Sequence, residues 1–169
     1  NDIFITEGVF KSEQLAKTVN AIALSIQGIH GWRGKVSRVI DYLEEEKGLG
    51  VLYIHVMFDS DICENPSVYQ ALRKMALDLK KNYFNTEIYY YWWYPKLGKG
   101  IDDLILNGFL SEVKRIDFKT YIRAYDKMIQ MLEEQHDTNI MSIDRELVRE
   151  AFEKYIQPKE NSDVLFMYN

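Results

Sequence analysis

Apolar residues along this chain fall into two alternating rhythms. Short continuous runs, rich in β-branched and aromatic residues, are separated by longer stretches in which apolar positions recur every three or four residues. The first rhythm predicts strands buried on both sides and the second predicts amphipathic helices. Strands are expected at 2–6, 21–26, 52–58 and 87–94, the last ended by Pro95. Helices are expected between them. Leu15, Ala16 and Val19 mark one face of the first, with Ser12 as its N-cap. Val36, Val39, Ile40 and Leu43 mark the second, which Gly48 and Gly50 stop. The third has Asn65 as cap, Pro66 at its first turn, and Val68, Leu72, Met75, Ala76 and Leu79 inward. After a lysine- and glycine-bearing loop at 96–100 comes a short helix. Two amphipathic helices follow at about 118–135 and 143–156, and a terminal strand is expected at 164–168. Strands alternating with helices imply right-handed βαβ units. The expected fold is therefore α/β: a mostly parallel four-stranded sheet of Rossmann-like type flanked by helices, with extra C-terminal helices. Residues 1–110 would form the α/β domain and residues 111–169 a helical extension packed on it.

Composition narrows the classes. A chain of 169 residues with 47% hydrophobic content can bury one sizeable core. The net charge of −5 argues against a protein that coats nucleic acid with a broadly basic surface, while leaving room for a local basic patch. The single cysteine, Cys63, excludes an internal disulfide framework and a multi-cysteine zinc site. No apolar stretch is long enough to cross a bilayer and no signal-peptide pattern opens the chain, so no membrane partner is expected and a cytoplasmic setting is the simplest. The chain starts at Asn1 and enters a strand at once, which reads as a piece of something longer.

The chemistry concentrates where the third strand ends. The run Leu52-Tyr53-Ile54-His55-Val56-Met57-Phe58 breaks into Asp59-Ser60-Asp61. In open α/β sheets ligands bind beyond the carboxyl ends of the strands. If the chain stays extended there, a period of two sends both carboxylates to one side. Two carboxylates so close must share a proton or a cation, and an all-oxygen donor set suits Mg²⁺ or Mn²⁺. The plainer reading is a polar loop beginning where a strand ends. Glu7 and the Asp102/Asp103 pair also follow strand ends, so three acidic clusters are expected on one edge.

These residues carry a family resemblance. Thr6-Glu7-Gly8-Val9-Phe10-Lys11-Ser12 resembles the first motif of TOPRIM domains, in which a strand delivers a Glu followed by Gly. Phe58-Asp59-Ser60-Asp61 resembles their DxD motif, and Lys99-Gly100-Ile101-Asp102-Asp103-Leu104-Ile105 is similar to the Lys/Gly/Asp segment of primase-type members. The resemblance covers about residues 3–108 and is nearest to the modules of plasmid, phage and conjugative-element replication proteins. It implies Mg²⁺-dependent phosphoryl or nucleotidyl transfer, or cleavage, on a nucleic acid. DNA, single-stranded or template-primer, and nucleotides are the expected ligands, with other domains of a replication protein such as a helicase as partners. By this resemblance Glu7 is the acid/base or a further ligand, Asp59 and Asp61 are catalytic metal ligands, and Asp102 is an outer or second-metal ligand. Asp103 is assigned instead to capping its helix. The alternative is a non-catalytic DNA-binding or protein-docking module of a primase or helicase.

Four cationic residues are candidates for nucleic acid or phosphate. Lys11 stands just behind Glu7, which it can pair with, or it can reach a phosphate. Lys96 and Lys99 flank Gly98, without the Gly-Lys-Ser/Thr ending of a Walker loop. Arg33 follows Trp32 in a loop with three glycines, Gly28, Gly31 and Gly34, where stacking on a base competes with a plain turn. His30 alone is poor evidence for a metal, and His55 is expected to be a core histidine. The tyrosines of the fourth strand are expected to pack, and Trp92 and Trp93 to fill its two faces.

Overall fold

Five strands form one sheet in the computed structural model, which describes residues 1–156. They are β1 (Asp2–Glu7), β2 (Ile22–Ile26), β3 (Tyr53–Val56), β4 (Glu87–Trp92) and β5 (Lys114–Asp117). Their order is β2-β1-β3-β4-β5; the first four run parallel, and β5 lies antiparallel to β4. The helices are α1 (Val9–Val19), α2 (Lys35–Lys47), α3 (Pro66–Asn82), α4 (Ile101–Asn107), α5 (Phe118–His136) and α6 (Arg145–Tyr155). The expected α/β class with a mostly parallel sheet holds. The expected terminal strand at 164–168 lies outside the described residues.

The expected four strands become five. Lys114-Arg115-Ile116-Asp117 holds one apolar residue and three charges, too polar a run to announce a strand. An edge strand needs only one neighbour, and cations on it are normal. Ile116 pairs opposite Tyr90 and turns inward. Arg115 lies 4.6 Å from the centre of the Tyr89 ring and Lys114 5.3 Å from that of Trp92. Antiparallel pairing with β4 makes the polar run a strand, and the rings give its cations a place to lie.

The sheet divides two cores. On one side Phe4, Met57, Tyr91 and Trp93 meet Leu15 and Val19 of α1 and Ile101 and Leu104 of α4. On the other, Ile3, Ile5, Ile54, Val56, Tyr90 and Trp92 meet the apolar faces of α2, α3, α5 and α6. The strict alternation along β1, β3 and β4 produces this division. Trp92 and Trp93 fall on opposite sides, as the sequence predicts.

Two boundaries move. α1 begins at Val9, not at Ser12, because Gly8 adopts φ 93° and turns strand into helix within one residue. Ser12 thus lies inside the helix, its hydroxyl donating to Val9 O at 2.7 Å. β3 ends at Val56, although Met57 N–H still donates to Ile5 O at 2.8 Å and extends the contact with β1. A 3-10 turn then runs from Ser60 to Cys63.

Candidate functional site

β1 leads through α1 to β2 on one side, while β3 leads through α3 to β4 on the other. The crevice that such a reversal opens lies beyond the carboxyl ends of β1 and β3, the usual ligand position in this kind of sheet. Glu7 closes β1, and Asp59 stands three residues past β3.

Asp59 keeps extended backbone, at φ −64° and ψ 164°, and its side chain is only 12% exposed. Its Oδ1 accepts from Lys11 Nζ. Its Oδ2 lies 4.0 Å from Lys99 Nζ, and the Lys99 side chain is 82% exposed. Ser60 N–H donates to Lys99 O at 2.8 Å, tying the two loops together. Lys11 therefore pairs with Asp59 rather than with Glu7, one of the partners its position in the sequence allows.

Gly100 controls how closely these groups approach. A Cβ placed there would sit 2.3 Å from Asp102 Oδ1, 2.6 Å from Lys11 Cε and 3.0 Å from Lys11 Nζ. The missing side chain lets Lys11 and Asp102 converge on one spot. Asp102 Oδ1 is buried there without a hydrogen-bond partner, an unusual state for a carboxylate oxygen. Asp103 does the capping work: its Oδ2 accepts from Lys99 N–H at 2.8 Å and Gly100 N–H at 3.1 Å.

Asp61 belongs to different surroundings. The 3-10 turn breaks the period of two that would have aligned it with Asp59. Its Oδ2 accepts from Asn65 Nδ2 at 3.3 Å, and its carbonyl accepts from Asn65 N–H at 2.9 Å. Asn65 in turn caps α3, its Oδ1 accepting from Ser67 N–H at 3.1 Å. Asn65 opens α3, whose apolar face packs on the α5 side of the sheet, and this sets Asp61 toward that side. Glu7 shares the alternation that sends Ile3 and Ile5 to that side, and its carboxylate makes no ion pair among the described residues. The acidic residues thus straddle the edge, with Asp59 and Asp102 on the α1/α4 side and Glu7 and Asp61 on the other. Among the described residues no group of three or more His, Cys, Asp or Glu stands close enough to hold a metal ion.

The remaining cations lie over rings. Lys96 Nζ is 5.6 Å from the centre of Tyr94, and the Arg33 guanidinium is 5.9 Å from that of Trp32. Neither pairs with Asp59. His55 is a core residue, with Nδ1 2.9 Å from the Tyr91 hydroxyl and its ring stacked 4.4 Å from Phe4. Burial lowers its pKa to about 4; Asp2, 3.7 Å from Nε2, pulls the other way and loses. The imidazole is neutral at pH 7. Sequence reasoning missed the Lys99–Asp59 approach, the clearance role of Gly100, and Thr6. Thr6 is fully buried beside Glu7 and its hydroxyl has no hydrogen-bond partner. A small hydroxyl residue before Glu-Gly was its only signal.

Residues 2–109 match the family described as Domain of unknown function (DUF3854). The chain belongs to the DUF3854 family. No curated protein and no solved structure matches it. All of the site described above, from Glu7 to Asp103, lies within the DUF3854 segment, whereas β5, α5 and α6 lie beyond it. No helix among the described residues is long and apolar enough to cross a membrane.

Proposed function

We propose that this DUF3854 domain is a TOPRIM-like, Mg²⁺-dependent module of a mobile-element DNA replication protein, acting in primase-type phosphoryl or nucleotidyl transfer, or cleavage, on nucleic acid. One observation carries the reading: two lysines and two carboxylates converge at the β1–β3 crevice, and one buried carboxylate oxygen, on Asp102, lacks a partner. Oxygen donors fit Mg²⁺ in its usual mode, one or two carboxylates completed by waters and substrate phosphates, without a dedicated all-protein cage. Asp59 and Asp102 would hold the ion. Once bound, Mg²⁺ neutralises charge on the phosphate oxygens.

The chain's own side chains supply the rest. Lys99, exposed at the rim, binds the backbone phosphate as a point charge, and Lys96 extends that basic strip along the loop. Glu7, across the crevice, moves the proton of the attacking or leaving hydroxyl. Asp61 braces the turn through Asn65 and thereby fixes where Asp59 stands. Single-stranded DNA or a template-primer is the ligand this reading names, and a helicase or primase segment of the same replication protein is the neighbouring domain.

A second reading, a non-catalytic DNA-binding or docking module, is favoured by the Lys11–Asp59 pair, which already satisfies the central carboxylate. Mn²⁺ and Mg²⁺ titration by calorimetry, with and without a single-stranded oligonucleotide, separates the two. Nuclease and primer-extension assays on wild type, Asp59→Asn and Asp102→Asn complete the test. Metal binding and turnover that both substitutions abolish, with the fold intact, is the expected result. Unchanged DNA binding in all three proteins, with no turnover in any, establishes the module instead.

A further inference from the structure

Lys11 is a cation of the chain's own, seated on the carboxylate that a divalent ion would need. Its side chain is 21% exposed, it reaches Asp59 from the first turn of α1, and Gly100 leaves room at its tip. Lys11 and Lys99 face the carboxylates of Asp59 and Asp102, and Asp103 caps the same loop. A divalent ion added alone would meet the Lys11 ammonium at close range in a partly dehydrated crevice, where like charges repel strongly. A phosphodiester backbone brings one negative charge per phosphate. Phosphates arriving with the ion offset its charge, and they offer Lys11 a new partner when it leaves Asp59.

We infer that Lys11 is the resident cation of this site and couples its two ligands: a divalent ion takes Asp59 only as Lys11 transfers its ammonium to a phosphate of the incoming strand. This rests on the metal-dependent reading above and specifies how that site is loaded. A lysine suits the exchange because its ammonium is a compact point charge on a flexible four-carbon stem and needs no fixed bidentate geometry. The ligand class follows from the charges. It is a phosphate-bearing strand or nucleotide, whose negative charge offsets that of the ion.

The test is Mn²⁺ calorimetry on wild type, Lys11→Met and Lys11→Gln, each alone and with saturating oligothymidylate, with the fold checked by circular dichroism. Lys11→Gln keeps a hydrogen-bond donor near Asp59 should Lys11→Met fail to fold. Coupling between two sites commonly spans about 5- to 150-fold. Oligothymidylate should tighten Mn²⁺ on wild type by about 10-fold, within that span. Both variants should bind Mn²⁺ about 10-fold more tightly than wild type without oligonucleotide, and the added gain from oligonucleotide should largely vanish. Equal Mn²⁺ affinity on wild type with and without oligonucleotide overturns the coupling and needs no variant. Variants that fold yet bind Mn²⁺ no more tightly than wild type, while wild type binds it with oligonucleotide, overturn the role of Lys11 and leave the metal-dependent reading standing. No Mn²⁺ on any protein under either condition overturns that reading and this inference together.

Discussion

The two sides of the sheet do different jobs. On the side of α2, α3, α5 and α6, rings interlock: Tyr69 stacks on Tyr125 at 3.9 Å between centres, and Phe152 meets Trp92, Tyr121 and Tyr125 within 6 Å. Two buried hydroxyls there are tied to backbone, Tyr121 to Ile62 O and Tyr90 to Leu72 O, both at 2.9 Å, while that of Tyr125 has no partner. The side of α1 and α4 has a smaller core, an ion pair at its upper rim and a neutral histidine in its depth. Close packing resists change, so stability concentrates on the first side. Charges at the mouth of a crevice can change partners, so the proposed chemistry belongs to the second. Aromatic bulk and polar adaptability are separated by the thickness of one sheet.

Three experiments would break or sharpen that division. The largest effect is expected from Phe152→Ala, which empties the centre of the aromatic side and should cost about 3–5 kcal/mol in urea unfolding. On the proposed metal-dependent reading, metal and DNA binding of the folded fraction should stay as in wild type; a loss there would mean the two sides are not independent.

The next effect is a pH dependence on the other side. His55 is depressed to about 4, chiefly by burial, with Asp2 opposing and Arg115 and the N-terminus assisting. Its unfolded value is near the ordinary 6.5, so between the two the unfolded chain binds more protons and stability rises with pH. The His55 contribution is complete above about pH 6.5 and is lost as pH falls toward 4, by about 3 kcal/mol in all. Urea midpoints measured across this window should fall on acidification, and His55→Gln should flatten the slope. An unchanged slope in the variant would remove His55 as the cause.

The smallest effect belongs to the ion pair. Lys11→Met strands the largely buried Asp59 carboxylate and should cost about 1–3 kcal/mol. Adding Asp59→Asn should recover most of that loss in a double-mutant cycle. Losses that simply add would show that the pair does not couple and that the rim is as rigid as the aromatic side.

Much of this arrangement is legible in the residues, for physical reasons that also mark the limit. Strand β3 announces itself because it is covered on both faces from Ile54 to Val56 and lies in a largely apolar run. Asn65-Pro66 fixes the start of α3 because few residues suit those two positions. The edge strand β5 escapes the same logic, since its Lys, Arg and Asp are held by rings and by one neighbour. The gathering of acidic strand ends on one edge follows from parallel topology. Which carboxylates face each other does not. It depends on a 3-10 turn at Ser60, a tight helical turn that no period of two anticipates. The pairing of Lys11 with Asp59 rather than Glu7 depends likewise on β1 and β3 being neighbours, and on a glycine forty residues further on being bare.

Strand β5 and the two helices after it carry a consequence for modularity. The DUF3854 match stops at residue 109, yet Tyr90, Trp92 and Tyr69 owe their cover to Tyr121, Tyr125 and Phe152. A recombination event, or a cloning primer, that transplanted 2–109 alone would carry every candidate catalytic group into its new host together with a bare aromatic wall. The segment that defines the family is therefore smaller than the segment that must travel with it to remain in solution.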